Sequence, residues 1–174
     1  YQASLIIGNG FIDSGTVPVV ELTEIFRQAR GSSIVVNAHK INEGTIPYLQ
    51  SSPEKLQDFY FIEEEEPEKV LAMIITLVGE RIPKRFHLDP FDDIQVLTPM
   101  HRGTVGAENL NVELQKALNP GDNGILRGGR NFRISDKVMQ IRNNYNKDVY
   151  NGDIGRITGI DEENREVVVT IDER

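Results

Sequence analysis

The sequence contains no cysteine and no tryptophan. Without thiols, disulfides, zinc–thiolate sites and thiol nucleophiles are excluded, and such a chain fits a reducing, cytoplasmic location. Its three histidines, His39, His87 and His101, stand far apart in no metal-ligand spacing, so no metal site is expected. Residues 70–79 are its longest apolar run, well short of the about 20 residues that cross a bilayer, so no membrane partner is expected. There is no signal peptide, and a start at Tyr1 rather than at methionine leads to the expectation of a piece excised from longer sequence. Catalytic patterns are scarce as well. No glycine-rich loop ending in Lys-Ser/Thr follows a strand, no serine sits in a nucleophile elbow, and no histidine is spaced to pair with a carboxylate.

What is present describes an ordinary folded protein. With 39% apolar and 26% charged residues over 174 positions, the chain can bury roughly two-thirds of the surface that its unfolded form exposes. Its formal net charge of −8 argues against a stand-alone nucleic-acid binder, because neutralising phosphates dominates such binding. The average hides a contrast. Residues 1–120 carry 10 Lys+Arg against 17 Asp+Glu, a balance of −7, whereas residues 125–160 carry 7 basic against 3 acidic residues, a balance of +4. The basic residues are Arg127, Arg130, Arg133, Lys137, Arg142, Lys147 and Arg156.

Strand and helix signals alternate over the first 120 residues, which predicts an α/β domain with a largely parallel sheet. A helix is expected to end at Ser14-Gly15, and a short buried strand to run over residues 18–22. Ser32 or Ser33 can cap a helix that runs to about Asn42 and stops at Gly44. Residues 58–62 read as a strand with Phe59 and Phe61 on one face. The clearest helix opens at Pro67 and carries Val70, Leu71, Ile74, Leu77 and Val78 as an apolar stripe. The acidic run Glu63 to Glu66 before it is an acidic site, or more plainly carboxylates favouring a helix N-terminus. Residues 94–98 read as a buried strand with a turn at Pro99. Ala107, Leu110, Leu114, Ala117 and Leu118 mark an amphipathic helix closed by Asn119-Pro120.

From about Gly121 the pattern becomes that of a small antiparallel β module. Gly128-Gly129 makes a loop, residues 137–142, 154–160 and 166–171 are short strands, and Asn151-Gly152 and residues 161–164 supply turns.

Three segments hold unusual residue choices. Arg27 follows a buried strand, beside the cleft where α/β domains bind ligands. It is placed to meet an anion, although taken alone it reads more plainly as the partner of a surface carboxylate. Thr98 and Arg102 repeat that layout after the strand at 94–98, and suit either phosphate binding or a capping threonine with a solvated arginine. Residues 142–155 are rich in amides, Tyr and Gly, which serve backbone phosphate contacts and base stacking, and also routine hairpins.

In order and spacing these segments resemble the RecD-like branch of the superfamily 1 DNA helicases, the family that includes the exodeoxyribonuclease V alpha subunits. Leu22-Thr23-Glu24-Ile25-Phe26-Arg27-Gln28-Ala29 resembles the family's motif IV, and residues 96–103 resemble a later strand-turn segment. Residues 132–145, continuing through Val149-Tyr150-Asn151-Gly152-Asp153-Ile154-Gly155, resemble the start of its SH3-like insert. The resemblance implies that residues 1–120 are part of the second RecA-like motor domain and residues 121–174 its SH3-like β insert. It implies a motor that hydrolyses ATP with Mg²⁺ between two RecA-like halves and moves 5′ to 3′ on single-stranded DNA, in recombination and repair. The P-loop half would be a separate part of the same parent chain, so this stretch alone is expected to bind neither ATP nor Mg²⁺ and to be inactive. Arg27 would be the catalytic arginine finger, with Gln28 beside the nucleotide. Thr98, Arg102, Arg142, Asn144, Tyr145 and Asn151 would face single-stranded DNA. Other subunits of an exonuclease complex are a further class of partner.

Two departures stand out. His101 occupies a place where relatives often carry a second basic residue, so one DNA contact is expected to be weaker or pH-sensitive. The two motifs expected to follow the insert, one contacting DNA and one with a second catalytic arginine, do not occur before Arg174. The competing readings are a non-catalytic adaptor whose SH3-like module binds a protein, with Phe132, Tyr145 and Tyr150 as its aromatics, and the second motor domain of a relaxase-type helicase.

Overall fold

The structure, a computed structural model, describes residues 32–49, 57–121 and 124–171. The helix end at Ser14-Gly15, the strand at 18–22, Arg27 and Gln28 lie outside them. The chain divides into two compact units between Glu63 and Glu64.

In the first unit Ser32 caps helix α1 (Ser33–Asn42), its hydroxyl accepting from Val35 N at 3.4 Å and donating to the Asp58 carboxylate. That hydroxyl, more than any other group, holds the Asp58 carboxyl below the usual carboxylate range. The helix stops as expected. Gly44 takes a left-handed φ of 73°, and the N–H groups of Glu43, Gly44 and Thr45 turn back onto carbonyls of the last turn. Asn37, 2% exposed, pairs with the Tyr48 peptide in both directions, at 3.0 and 2.8 Å, acting as a side-chain substitute for a strand partner. Residues 58–62 form no strand, and Phe61 and Ile62 are exposed.

The second unit opens with helix α2 (Pro67–Thr76), followed without a break by a π-helical turn (Leu77–Arg81) and helix α3 (Ile82–Phe86). Pro83 explains the interruption. It has no N–H to give to Gly79, and its ring would strike that carbonyl in a regular helix. The backbone widens instead, and Ile82 N–H reaches Leu77 O. His87, at a left-handed φ of 57°, ends the run. Helix α4 (Ala107–Leu118) packs against α2, and Gly79 lies so close to Leu118 that an added Cβ would come 3.7 Å from its Cδ2. Residues 94–98 are extended but unpaired among the described residues. Ile94, Val96 and Thr98 turn inward while Leu97 is 86% exposed, so the buried strand expected there is instead a one-faced segment.

All strand pairing among the described residues is antiparallel. β1 (Gly124–Arg127) and β2 (Arg130–Arg133) form a hairpin, and β3 (Lys137–Met139), β4 (Ile154–Asp161) and β5 (Glu166–Thr170) form a three-stranded meander in that order. The β module expected from the sequence is thus present, although the expected parallel sheet is not seen among the described residues. Ile157 and Ile171 are buried in it, and Gly155 is obligatory because a Cβ would lie 2.5 Å from Thr170 O. No helix among the described residues is long and apolar enough to cross a membrane.

Two polar clamps join the β module to the segment before it. In the first, the buried Asp136 carboxylate accepts from Gln115 Nε2 at 2.5 Å, Asn119 Nδ2 at 2.8 Å and Arg133 N at 2.8 Å. Gln115 also donates to Asn131 O and Asn119 to Ile134 O, and Arg133 Nη1 returns a bond to Asn119 O, each at 2.8 Å. In the second clamp, the Arg156 guanidinium lies 4.8 Å from the centre of the Phe91 ring and pairs with Asp92 at 2.9 Å and Asp89 at 3.2 Å, while Lys137 Nζ donates to Ile94 O at 3.1 Å. Asp89 also organises its own turn, accepting from Phe91 N and Asp92 N at 2.8 and 2.9 Å.

Removing the Asp136 carboxylate orphans three donors at once. Asp136→Ala is expected to lower the unfolding free energy in urea by roughly 2–4 kcal/mol, and an unchanged midpoint would contradict the clamp. The second clamp makes a pH prediction. The Asp92 N–H first, then the Phe91 N–H, with Arg156 adding to them, hold Asp89 below its ordinary value of 3.8. A carboxyl acidified by folding stabilises the folded state fully above the unfolded pKa, and that stability disappears as pH falls through the folded one. The stability gap between wild type and Asp89→Asn should therefore be constant from pH ~7 to ~5, narrow below about pH 4 and close at lower pH. A gap that persists in strong acid would show that the ionised carboxylate does not carry it.

Candidate nucleic-acid interface

Of the eight residues that the sequence singled out, Arg27 and Gln28 lie outside the described residues. Thr98 and Arg102 fall in the turn that leads into α4. Thr98 Oγ1 donates to Val105 O at 2.8 Å and accepts from Met100 N at 3.3 Å, so its hydroxyl braces the turn. The turn closes onto the helix through Ala107 N to Met100 O at 2.9 Å and Glu108 N to His101 O at 3.2 Å. Gly106 is pressed against the Arg102 backbone, with 2.5 Å between a hypothetical Cβ and the Arg102 carbonyl, so no larger residue fits. Arg102 itself is exposed, and the His101 ring stands 3.6 Å from Glu108.

Arg142, Asn144, Tyr145 and Asn151 come together in one loop, residues 140–153, between β3 and β4. The loop is built from its own polar groups. Gln140 pairs with it at both ends, its N–H donating to Asp153 O and its carbonyl accepting from Gly152 N, both at 2.8 Å. Asn144 and Val149 form an isolated antiparallel bridge, with Asp148 in the left-handed region at a φ of 52°. Asn143 links the two arms: its Oδ1 accepts from Asn151 N at 2.8 Å and its Nδ2 donates to the Tyr145 hydroxyl at 3.1 Å. Asp153 accepts from Tyr150 N at 2.8 Å, and the Tyr150 hydroxyl donates to Asp148 at 2.6 Å. Gly152, at a φ of 98°, lets the chain turn into β4 as the Asn-Gly pair foretold.

The loop presents a ring and a charge. Tyr145 is 76% exposed, yet its ring is fixed edge-to-face against Tyr150 at 6.1 Å between centroids and 73° between planes. Arg142 and Lys147 are exposed on the same loop, as is Ile141. An oriented aromatic face with cations nearby can stack a nucleobase and neutralise its phosphate. Asn143, Lys147 and Tyr150 were not chosen from the sequence. The near-repeat of Asn-Tyr at 144–145 and Tyr-Asn at 150–151 was the signal that could have found Tyr150.

The basic surface is smaller than the residue count implied. Arg133, Lys137 and Arg156 are engaged in the clamps. The exposed basic residues of the module are Arg127, Arg130, Arg142, Lys147 and Arg165. Among the described residues no group of three or more His, Asp or Glu side chains could hold a metal ion.

Residues 110–171 match the family described as the SH3 domain of ATP-dependent RecD-like DNA helicases. The match starts inside α4, so Gln115 and Asn119 lie within it together with Asp136. Over 140 residues, 80% of the chain, the sequence is 31% identical to the ATP-dependent RecD2 DNA helicase of Deinococcus radiodurans. That stretch is 18% of the relative's length. With a match to the domain over its C-terminal part and this similarity over four-fifths of its length, the chain belongs with the RecD-like DNA helicases, as a stretch that carries their SH3 domain.

Proposed function

We propose that the chain forms part of the single-stranded DNA track of an ATP-dependent 5′–3′ DNA helicase that works in recombination and repair in the cytoplasm. The observation that carries this reading is the braced loop at 140–153, with Tyr145 exposed and Arg142 and Lys147 exposed on the same loop, in a chain similar to RecD-like helicases. In this reading Tyr145 stacks a base, and Arg142 and the amides of Asn144 and Asn151 follow the backbone. Arg102 adds a charge on the DNA-facing side, positioned by the turn that Thr98 braces.

The same reading assigns residues 1–120 to part of the second RecA-like motor domain and residues 121–174 to its SH3-like insert. ATP and Mg²⁺ would be held chiefly by the other RecA-like half of the parent, the half that carries the P-loop in this family. Arg27 would approach the γ-phosphate as the cleft closes, with Gln28 beside the nucleotide. An arginine there stabilises charge that develops as the phosphoryl group leaves.

Two experiments test the two parts separately. For the track, Tyr145→Ala should weaken oligothymidylate binding by roughly 10- to 100-fold in fluorescence anisotropy, while Tyr145→Phe retains it. Equal affinity of the alanine variant would remove Tyr145 from the interface. For the motor, Arg27→Ala in the full-length parent should cost on the order of 10³-fold in DNA-stimulated ATP turnover with nucleotide binding preserved. Full turnover by that variant would leave the helicase reading in place and take the finger away from Arg27.

A further inference from the structure

Of the five exposed basic residues of the β module, Arg142 and Lys147 belong to the loop at 140–153 and Arg165 stands in the turn between β4 and β5. Arg127 and Arg130 face each other across the β1–β2 hairpin, in register, on either side of its two-residue turn. Like charges placed directly opposite on an antiparallel pair destabilise it. Among the described residues no carboxylate forms an ion pair with either arginine to relieve that repulsion. Nothing among the described residues offsets the pair, whereas an external anion would.

The tip is shaped to receive one. Gly128 and Gly129 take φ values of 58° and 77°, a turn that requires positive φ, and a Cβ added at either would meet nothing within 4 Å. The turn stands in open space without side chains of its own. Its base is held firmly. Asn131 O accepts from Gln115, Arg133 N donates to Asp136, and Arg133 Nη1 donates to Asn119 O. The arginine pair is thus presented at the end of a short arm whose root is fixed to the last turn of α4. Two guanidinium forks side by side suit the oxygens of neighbouring phosphodiesters, which accept in pairs.

We propose that Arg127 and Arg130 form a phosphate-binding tip that grips the DNA backbone without regard to sequence, at a point separate from the Tyr145 loop. This rests on the DNA-binding reading above, and the two can fail independently. The test is fluorescence anisotropy across a range of NaCl concentrations, with a labelled oligothymidylate and with a duplex, for wild type, the double variant Arg127→Gln/Arg130→Gln, the double variant Arg127→Lys/Arg130→Lys, and Tyr145→Ala. The glutamine pair should lower the slope of log affinity against log salt by roughly 1.4 on single strands or roughly 1.8 on duplex, and the lysine pair should keep it. A loss on the oligothymidylate assigns the phosphates to the tracked strand, and a loss on duplex alone assigns them to the duplex. Either result upholds the site. The glutamine pair should also melt no lower than wild type, because it relieves a repulsion.

An unchanged salt slope in the glutamine pair, with Tyr145→Ala still weakened, overturns the hairpin site and leaves the loop reading intact. A reduced slope with Tyr145→Ala unaffected upholds the hairpin and removes the loop. Absence of any wild-type binding at low salt overturns both.

Discussion

The Asp136 carboxylate, buried between the end of α4 and the start of the meander, fixes how the β module is held. It gathers donors from Gln115 and Asn119 on or just after the helix and from the backbone of Arg133 on β2. Hydrogen bonds to an ionised carboxylate are about twice as strong as neutral ones, and each donor left without its acceptor in a buried place carries a desolvation cost. The sheet contributes to the same junction, because Ser135 N and Ile157 O, and Ile157 N and Asp136 O, pair immediately beside it. Helix, hairpin and meander therefore share one root.

A second attachment works by charge. Asp89 and Asp92 come from the acidic part of the chain and Arg156 from the basic part, and they meet with Phe91 beneath the guanidinium. The segregation of charge along the sequence, −7 before residue 121 and +4 over residues 125–160, is used in part inside the unit. Only what remains exposed can act on a polyanion, and that remainder is concentrated on a turn and a loop. Both project from an anchored scaffold, an arrangement in which loops can vary in chemistry without disturbing the elements that carry them.

Much of the local structure was legible in the residues. Ser32 and Gly44 bound α1, the stripe from Ala107 to Leu118 is α4, and the turns at Gly128-Gly129 and Asn151-Gly152 fall where their dipeptides put them. Alternation gave β4 and β5 to within a residue or so. Elsewhere local pattern misled. Residues 58–62 have strand composition but no strand partner among the described residues, and a strand exists only through its ladder. Pro83 turned one expected helix into a helix with a π-helical turn, a consequence readable from proline's missing N–H but overlooked behind the apolar stripe. The basic excess was counted correctly and its use was not, since no sequence pattern shows that Arg133, Lys137 and Arg156 bond inward. Asp136 gave no signal either. A single aspartate among basic residues looks like a solvated one until the helix that donates to it, some 20 positions earlier, is folded against it.

The proposed reading depends most on the loop at 140–153 as a surface that meets single-stranded DNA. The most direct measurement is amide chemical-shift mapping of the isotopically labelled chain titrated with an oligothymidylate. The account predicts saturable shifts at Arg142, Asn143, Asn144, Tyr145 and Asn151, joined by Arg127 and Arg130 where the hairpin tip engages the strand, with Gln115, Asn119 and Asp136 unmoved. Shifts confined to the faces of α2 and α4, with the loop silent, would contradict it.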